Sequence, residues 1–210
     1  VWVSPVDAGL YFSVLLRPKI ELGKWPLITL MTALVVSDAV RETCSLETDI
    51  KWPNDVQADG RKICGILAEA VSTPFGRAAI VGVGINVKRG ALPPELGRTA
   101  SSIEELTGAS PVTEELLRAL TRGLGQRYEE LHEPNGPALL VDEWMTRSSY
   151  ASGLRVRVAF GDEDAIEGVT RGLTSDGALR VETDDSQIRV VHAGDVTAVR
   201  VAEQRNSNQL

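Results

Sequence analysis

The sequence has only two cysteines, two histidines and 5% aromatic residues in 210 positions, and each scarcity removes a class of chemistry. Cys44 and Cys64 have no Cys or His neighbours at ligand spacing, so they give neither a disulfide framework nor a zinc site; they read as reduced, cytoplasmic thiols. His132 and His192 stand in no nucleophile context, which argues against a hydrolytic triad, and both read as exposed surface residues. There is no run of Lys and Arg, and the net charge is -7. Broad nucleic-acid binding needs clustered cations that release counterions, so this region is not expected to bind nucleic acid. No Gly-x-x-x-x-Gly-Lys phosphate loop occurs, so any nucleotide is held by lysines and backbone amides instead. The longest apolar stretch, residues 25–36, is far too short to span a membrane. The chain opens Val1-Trp2-Val3-Ser4-Pro5 without an initiator methionine, and further residues are expected to precede it in the intact protein.

What is present divides into two patterns. Residues 10–16, rich in aromatic and branched side chains and followed by Arg17-Pro18, predict a buried strand. Leu27, Leu30, Met31, Leu34, Val35 and Ala39 recur at helical spacing, with Pro26 in the first turn where its missing N–H costs nothing. Residues 49–70 read as a hairpin turning at Asp59-Gly60, a pair suited to the positive φ angles of a type I′ turn. A strand over 79–87 follows, then a Pro-rich loop at 92–97 and a short helix at 102–106 capped by Ser101 or Ser102. Longer helices are expected at 114–132 and 137–148. Beyond Ser152-Gly153 come five short alternating runs, at 154–160, 165–173, 178–183, 187–192 and 196–201, which predict a small β-barrel.

The hairpin and the following strand carry the candidate site. A two-residue turn at Asp59-Gly60 sets Ala58 against Arg61, Gln57 against Lys62 and Asn54 against Gly65. Simple alternation then groups Lys62, Cys64, Ile66 and Ala68 on one face, with Ile63, Gly65, Leu67 and Glu69 on the other. Trp52-Pro53 is expected to distort the strand as a bulge or bend beside Asn54 and Asp55. In residues 80–87, Val81, Val83, Ile85 and Val87 share one face, leaving Gly82, Gly84 and Asn86 on a nearly bare one. Such a face is a flat floor for a planar group, or else room for a helix or strand to pack closely; the residues alone allow both. Lys51 and Lys62 are the candidate cations for phosphate oxygens or developing negative charge.

Lys51-Trp52-Pro53-Asn54-Asp55, then Arg61 to Glu69 (Arg-Lys-Ile-Cys-Gly-Ile-Leu-Ala-Glu), then Gly82-Val83-Gly84-Ile85-Asn86 resembles the signature of biotin protein ligases in order and spacing. Trp2-x-Ser4-Pro5 with Gly9-Leu10-Tyr11-Phe12-Ser13 resembles the segment after that family's biotin loop, and Gly168 to Leu173 its C-terminal domain. The resemblance implies an α+β fold: a mixed sheet flanked by helices, of the class II aminoacyl-tRNA synthetase and biotin ligase type, with an SH3-like C-terminal β-barrel. The implied boundaries are 1–152 for the catalytic domain, 153–203 for the barrel and 204–210 for a tail. The implied reaction joins biotin to MgATP, giving biotinyl-5′-AMP, and passes biotin to a lysine of a carboxylase's carrier domain. By the same resemblance Lys62 and Asp55 are catalytic, and Lys62, Gly65, Leu67, Gly82 and Gly84 bind biotin. Trp2, Lys51, Asn54 and Asn86 are placed on the ATP or adenylate side, with no metal ligand set of the protein's own.

The family's Gly/Arg-rich loop stands just before the position of Trp2, so the chain is expected to lack that loop and part of the catalytic sheet. Two further readings stay open at this level: a related lipoate or octanoyl transfer enzyme, and a noncatalytic remnant that binds a carrier domain or partner. An exposed sheet edge would allow a homodimer, and the expected location is cytoplasmic.

Overall fold

The computed structural model describes residues 6–90, 92–160 and 164–198. Trp2, the 204–210 tail and the last few residues of the expected barrel lie outside the described residues. Strands β1 (Gly9–Leu16), β2 (Asp49–Lys51), β3 (Asp55–Ala58), β4 (Arg61–Thr73) and β5 (Gly76–Asn86) form one sheet in the order β1-β5-β4-β3-β2. Every ladder in it is antiparallel, where a mixed sheet is expected from the resemblance. Consecutive strands joined by short turns pair antiparallel by necessity. Parallel pairing among the described residues is confined to an isolated bridge between Lys62 and Ala100.

One face of this sheet is covered by helices. Helix α1 (Leu27–Cys44) carries the predicted apolar stripe, and Ile28, Ala33, Val36 and Val40 are buried as well. A helix that is apolar on nearly all sides belongs in the interior, and α1 lies between the sheet and two outer helices, α3 (Thr113–Leu131) and α4 (Gly136–Arg147). The short helix α2 (Ile103–Thr107) is capped by Ser102, whose Oγ accepts from the Glu105 N–H. At the junction of the three long helices, Arg127 pairs with Asp38 and Glu143 at 2.7 Å, and Arg147 meets Asp38 at 2.9 Å. The Arg127 guanidinium, hydrogen-bonded to Glu143, holds the Glu143 carboxyl below its ordinary value. No helix among the described residues is long and apolar enough to cross a membrane.

The second sheet holds β6 (Ser152–Phe160), β7 (Asp164–Leu173), β8 (Leu179–Glu182), β9 (Ile188–Val191) and β10 (Asp195–Ala198), in the order β10-β6-β7-β8-β9. These are the five expected short strands, and their buried Val156, Val158, Leu179, Val181, Val191 and Val196 continue the hydrophobic core of the larger sheet. The unit is anchored on the larger sheet through Trp52. The buried indole Nε1–H donates to the Gly177 carbonyl at 2.9 Å. Gly177 itself presses on α1: a Cβ there would come within 2.9 Å of Leu30 Cδ1. The connecting segment is stitched to β2, since Ser148 Oγ donates to the Ile50 carbonyl and Ser149 Oγ to Asp49.

Three local expectations need correction. The turn at Asp59-Gly60 forms as predicted, with both residues at positive φ, but the ladder then slips by one residue. Gln57 pairs with Lys62 and Val56 with Cys64, so Ile63 is an extra residue and Gly65 faces Asp55, not Asn54. Ile63 is wholly buried, and this apolar side chain gains more in the core than a regular ladder would offer it. The bulge therefore sits between Val56 and Gln57, while Trp52-Pro53-Asn54 is the connection from β2 to β3, with a cis Trp52–Pro53 peptide. His132 is partly buried rather than exposed: its Nδ1 lies 2.6 Å from the Tyr128 carbonyl and its Nε2 accepts from the Lys19 N–H. His192 is exposed, as expected.

Replacing Trp52 with Phe removes the donor and leaves a buried carbonyl unpaired, which costs about 2 kcal/mol. Urea unfolding should show that loss, and an unchanged midpoint would count against the indole bond as an anchor. Because the folded Glu143 carboxyl is held low, its stabilising contribution is present above the ordinary carboxylate range and is lost as pH falls through its folded value. Glu143→Gln should lower stability near neutral pH and flatten the acid limb of a stability–pH profile; a parallel acid limb would contradict this.

Candidate functional site

Cross-strand partners lie on the same face of a sheet, so the register defines which side chains meet. Tyr11 on β1 pairs with Gly84 on β5, Gly84 with Gly65 on β4, Gly65 with Asp55 on β3, and Asp55 with Lys51 on β2. A single row thus crosses all five strands on the face opposite the helices, ordered aromatic, glycine, glycine, carboxylate, ammonium. The next row is Ser13, Gly82 and Leu67.

These rows floor a cleft of about 500 Å³ lined by Tyr11, Phe12, Ser13, Asn54, Lys62, Gly65, Ile66, Leu67, Gly82, Val83 and Gly84. Leu67 forms an exposed apolar wall at 61% exposure, although Cys64 and Ile66 on the other face are buried. At Gly82 a Cβ would meet nothing nearer than the Leu67 carbonyl at 3.7 Å and Ser13 Oγ at 3.8 Å. Those are ordinary contacts, so close packing by the protein does not require this glycine.

A second, wider cleft of about 990 Å³ adjoins the first and shares Asn54 and Lys62 with it. Its cations are Lys51, Lys62 and Arg98; its carboxylates are Asp55 and Asp195. Lys62 Nζ lies 2.6 Å from Asp55 Oδ1, and the Asp55 side chain is only 14% exposed. The bulge at Ile63 makes this pair possible. Without it, Lys62 would share the core-facing side of Cys64, as simple alternation predicts; with it, Lys62 stands on the Gly65 face beside Asp55. Cys64 stays in the core, where burial pushes its thiol up and removes it as a nucleophile.

The two asparagines shape the site from within. Asn54 Nδ2 donates to the Ile66 carbonyl at 2.9 Å, while the Asn54 carbonyl accepts from the Ile66 N–H, so the β2–β3 connection is clamped to β4. Asn86 is buried and its Nδ2 donates to the Ser101 carbonyl at 3.1 Å, tying β5 to the segment before α2. Both therefore spend amide hydrogens on the protein, although both still line a cleft.

All the described candidate residues meet in these two clefts: Lys62, Asn54, Gly65, Leu67, Gly82 and Gly84 in the narrow one, with Lys51, Asp55 and Asn86 joining Lys62 and Asn54 in the wide one. Trp2 lies outside the described residues. Several lining residues escaped the sequence reading. Tyr11, Ser13 and Gln57 are not among the expected site residues, although Gln57 stands beside Lys62 as the turn register predicts, and it accepts from the Tyr150 hydroxyl at 3.4 Å. Burial pushes the Tyr150 phenol up, with the Asp49 charge adding to it. Arg98, Tyr150 and Asp195 arrive from a loop, a linker and the second sheet, and no local pattern marks them.

Residues 1–86 match the biotin/lipoate A/B protein ligase family, and residues 151–197 match the biotin protein ligase C-terminal domain. The chain is 33% identical over 203 residues to a biotin–[acetyl-CoA-carboxylase] ligase of Mycobacterium tuberculosis, covering 95% of this chain and 73% of that protein. It is 31% identical over 203 residues to the bifunctional ligase/repressor BirA of Bacillus subtilis, covering 93% of this chain. It spans 60% of that relative's length. The crystal structure of biotin protein ligase from Aquifex aeolicus superposes with a TM-score of 0.79 at 29% identity, over 92% of this chain and 83% of that one. The same Aquifex protein in complex with biotin and ATP gives a TM-score of 0.78 at 28% identity, over 92% and 79%. With two family matches on its two sheets and a ligase relative sharing a third of its residues, the chain belongs to the biotin protein ligase family.

Proposed function

We propose that the protein activates biotin with MgATP and transfers it to a lysine of a carboxylase's carrier domain in the cytoplasm. The observation that carries this reading is the position of Lys62, at the junction of a glycine-floored apolar cleft and a wide polar cleft. A planar bicyclic ligand with an acyl tail suits the first, and a nucleotide triphosphate suits the second. The reaction joins the two where they meet.

In this reading biotin lies on Gly65, Gly82 and Gly84 against Leu67, with its carboxylate directed to Lys62. ATP occupies the wide cleft, its phosphates near Lys51, Lys62 and Arg98. The biotin carboxylate attacks the α-phosphorus and pyrophosphate leaves. Lys62 neutralises negative charge that grows at the phosphoryl oxygens, a role that needs a cation already in place and no protein nucleophile. Asp55 keeps the Lys62 ammonium over the floor until substrate arrives. In the second step the carrier lysine's amine attacks the acyl carbon, the bond to AMP breaks, and Asp55 is the carboxylate placed to take the amine's proton. Among the described residues no three His, Cys, Asp or Glu side chains converge on a metal position; in this scheme Mg²⁺ enters with the nucleotide substrate. Asn54 and Asn86 position the adenylate indirectly, by fixing the walls of the wide cleft.

Incubating the chain, alone and joined to a segment that carries the family's Gly/Arg-rich loop, with ATP, biotin and a biotin carrier domain should give carrier labelling read by streptavidin in the extended form, and little from the chain alone. No labelling from either would favour the noncatalytic reading, and preference for lipoate would replace the substrate. Lys62→Ala should lower the rate of adenylate formation at least tenfold, on the scale of losing a charged contact to the reacting phosphate. An unchanged rate removes Lys62 from the chemistry. Gly82→Ala should fold with equal or slightly greater stability, because restricting glycine stabilises a strand when nothing clashes. Its added methyl should weaken biotin binding; undiminished affinity would place biotin elsewhere.

A further inference from the structure

The wide cleft contains a charge pair, Lys51 with Asp195, of which the proposed reaction uses only the lysine. Lys51 Nζ lies 3.2 Å from Asp195 Oδ1, and this contact joins the larger sheet to the first residue of β10 in the smaller one. The two partners differ sharply in environment. The Lys51 side chain is 15% exposed and keeps its ammonium directed into the cleft, whereas the Asp195 side chain is 79% exposed. Each cleft lysine thus has a carboxylate at hydrogen-bonding distance, Lys62 with Asp55 and Lys51 with Asp195. Asp55 is enclosed; Asp195 is free to swing into water.

We infer that Asp195 is a positioning residue that occupies the phosphate place at Lys51, so that nucleotide must displace it to bind. The inference rests on the reading of the wide cleft as the nucleotide site. An exposed ion pair with a single-oxygen contact contributes little, and a polyphosphate carries more charge to the same ammonium and wins the exchange. The displacement need not move the smaller sheet as a body. Trp52, the residue after Lys51, remains bonded to the Gly177 carbonyl in a buried contact that no nucleotide group competes for. Asp195 therefore holds Lys51 aimed while the cleft waits, and sets a threshold against weakly charged anions.

The test is equilibrium binding of a non-hydrolysable ATP analogue with Mg²⁺, measured calorimetrically on the chain and its variants. Asp195→Asn should tighten analogue binding about threefold at low salt, with the difference shrinking as ionic strength rises. Asp195→Glu should restore the original affinity, biotin affinity should be the same in all three, and in a Lys51→Met background the Asp195→Asn effect should vanish. A merely structural role for Asp195 would not give a gain in nucleotide affinity that depends on Lys51. If the wild type binds the analogue and Asp195→Asn binds it equally or more weakly, the inference is overturned while the reading of the cleft stands. If the wild type binds biotin but no analogue, the nucleotide reading falls and the inference with it.

Discussion

A single additional residue in β4 determines which side chains reach the open face of the sheet. Ile63 has no partner of its own in the β3–β4 ladder, and its side chain is withdrawn completely into the core. A strand has a period of two, so one inserted residue exchanges the faces of everything on its far side. Arg61 and Lys62, next to the turn, keep one phase, and Cys64 onward takes the other. The consequence is that Lys62 and Gly65, an odd number of residues apart, stand on the same face. The ion pair with Asp55 follows from that phase change, whereas Gly65 opposite Gly84 and Leu67 opposite Gly82 are set by the uninterrupted β4–β5 ladder.

The helices and the second sheet serve this face from behind and from the side. Helix α1 covers the opposite face with an apolar surface on nearly all sides, so Cys64, Ile66, Val81, Val83 and Ile85 are buried there while the Gly65 face stays open. The smaller sheet contributes a wall to the wide cleft and is fastened by a neutral, buried hydrogen bond at Trp52, immediately beside the exposed charge contact at Lys51. Neighbouring residues in one short motif thus do opposite work. One makes a contact that solvent and salt scarcely affect; the other makes a contact that an anion can replace.

Much of this was legible in the sequence where the physics is local. The turn at Asp59-Gly60, the Ser102 cap, the α1 stripe and the bare face of Gly82 and Gly84 depend on residues a few positions apart, and periodicity with turn chemistry finds them. Proline cannot donate to a ladder, so Trp52-Pro53 predicts a bulge or bend; the chain turns there between β2 and β3, and the bulge itself lies opposite Val56 and Gln57. Its cause is the pull of the core on Ile63, a tertiary effect with no mark in the local pattern. The partial burial of His132 has the same kind of cause: its two ring nitrogens are engaged by Tyr128 and by Lys19, the latter 113 residues away. Asp195 and Arg98 could be placed at the site only by packing between distant segments.

A binding surface made of glycine can vary in only one direction. At Gly65, Gly82 and Gly84 every substitution adds atoms and none removes any, so all neighbouring sequences have a shallower cleft. The walls are different, because Tyr11, Ser13 and Leu67 can each grow or shrink. Inherited change can therefore tune the width and polarity of this cleft by small steps, while its depth can only be kept or lost. A relative with a cleft of different width should carry its differences on β1 and at Leu67, with the floor unaltered.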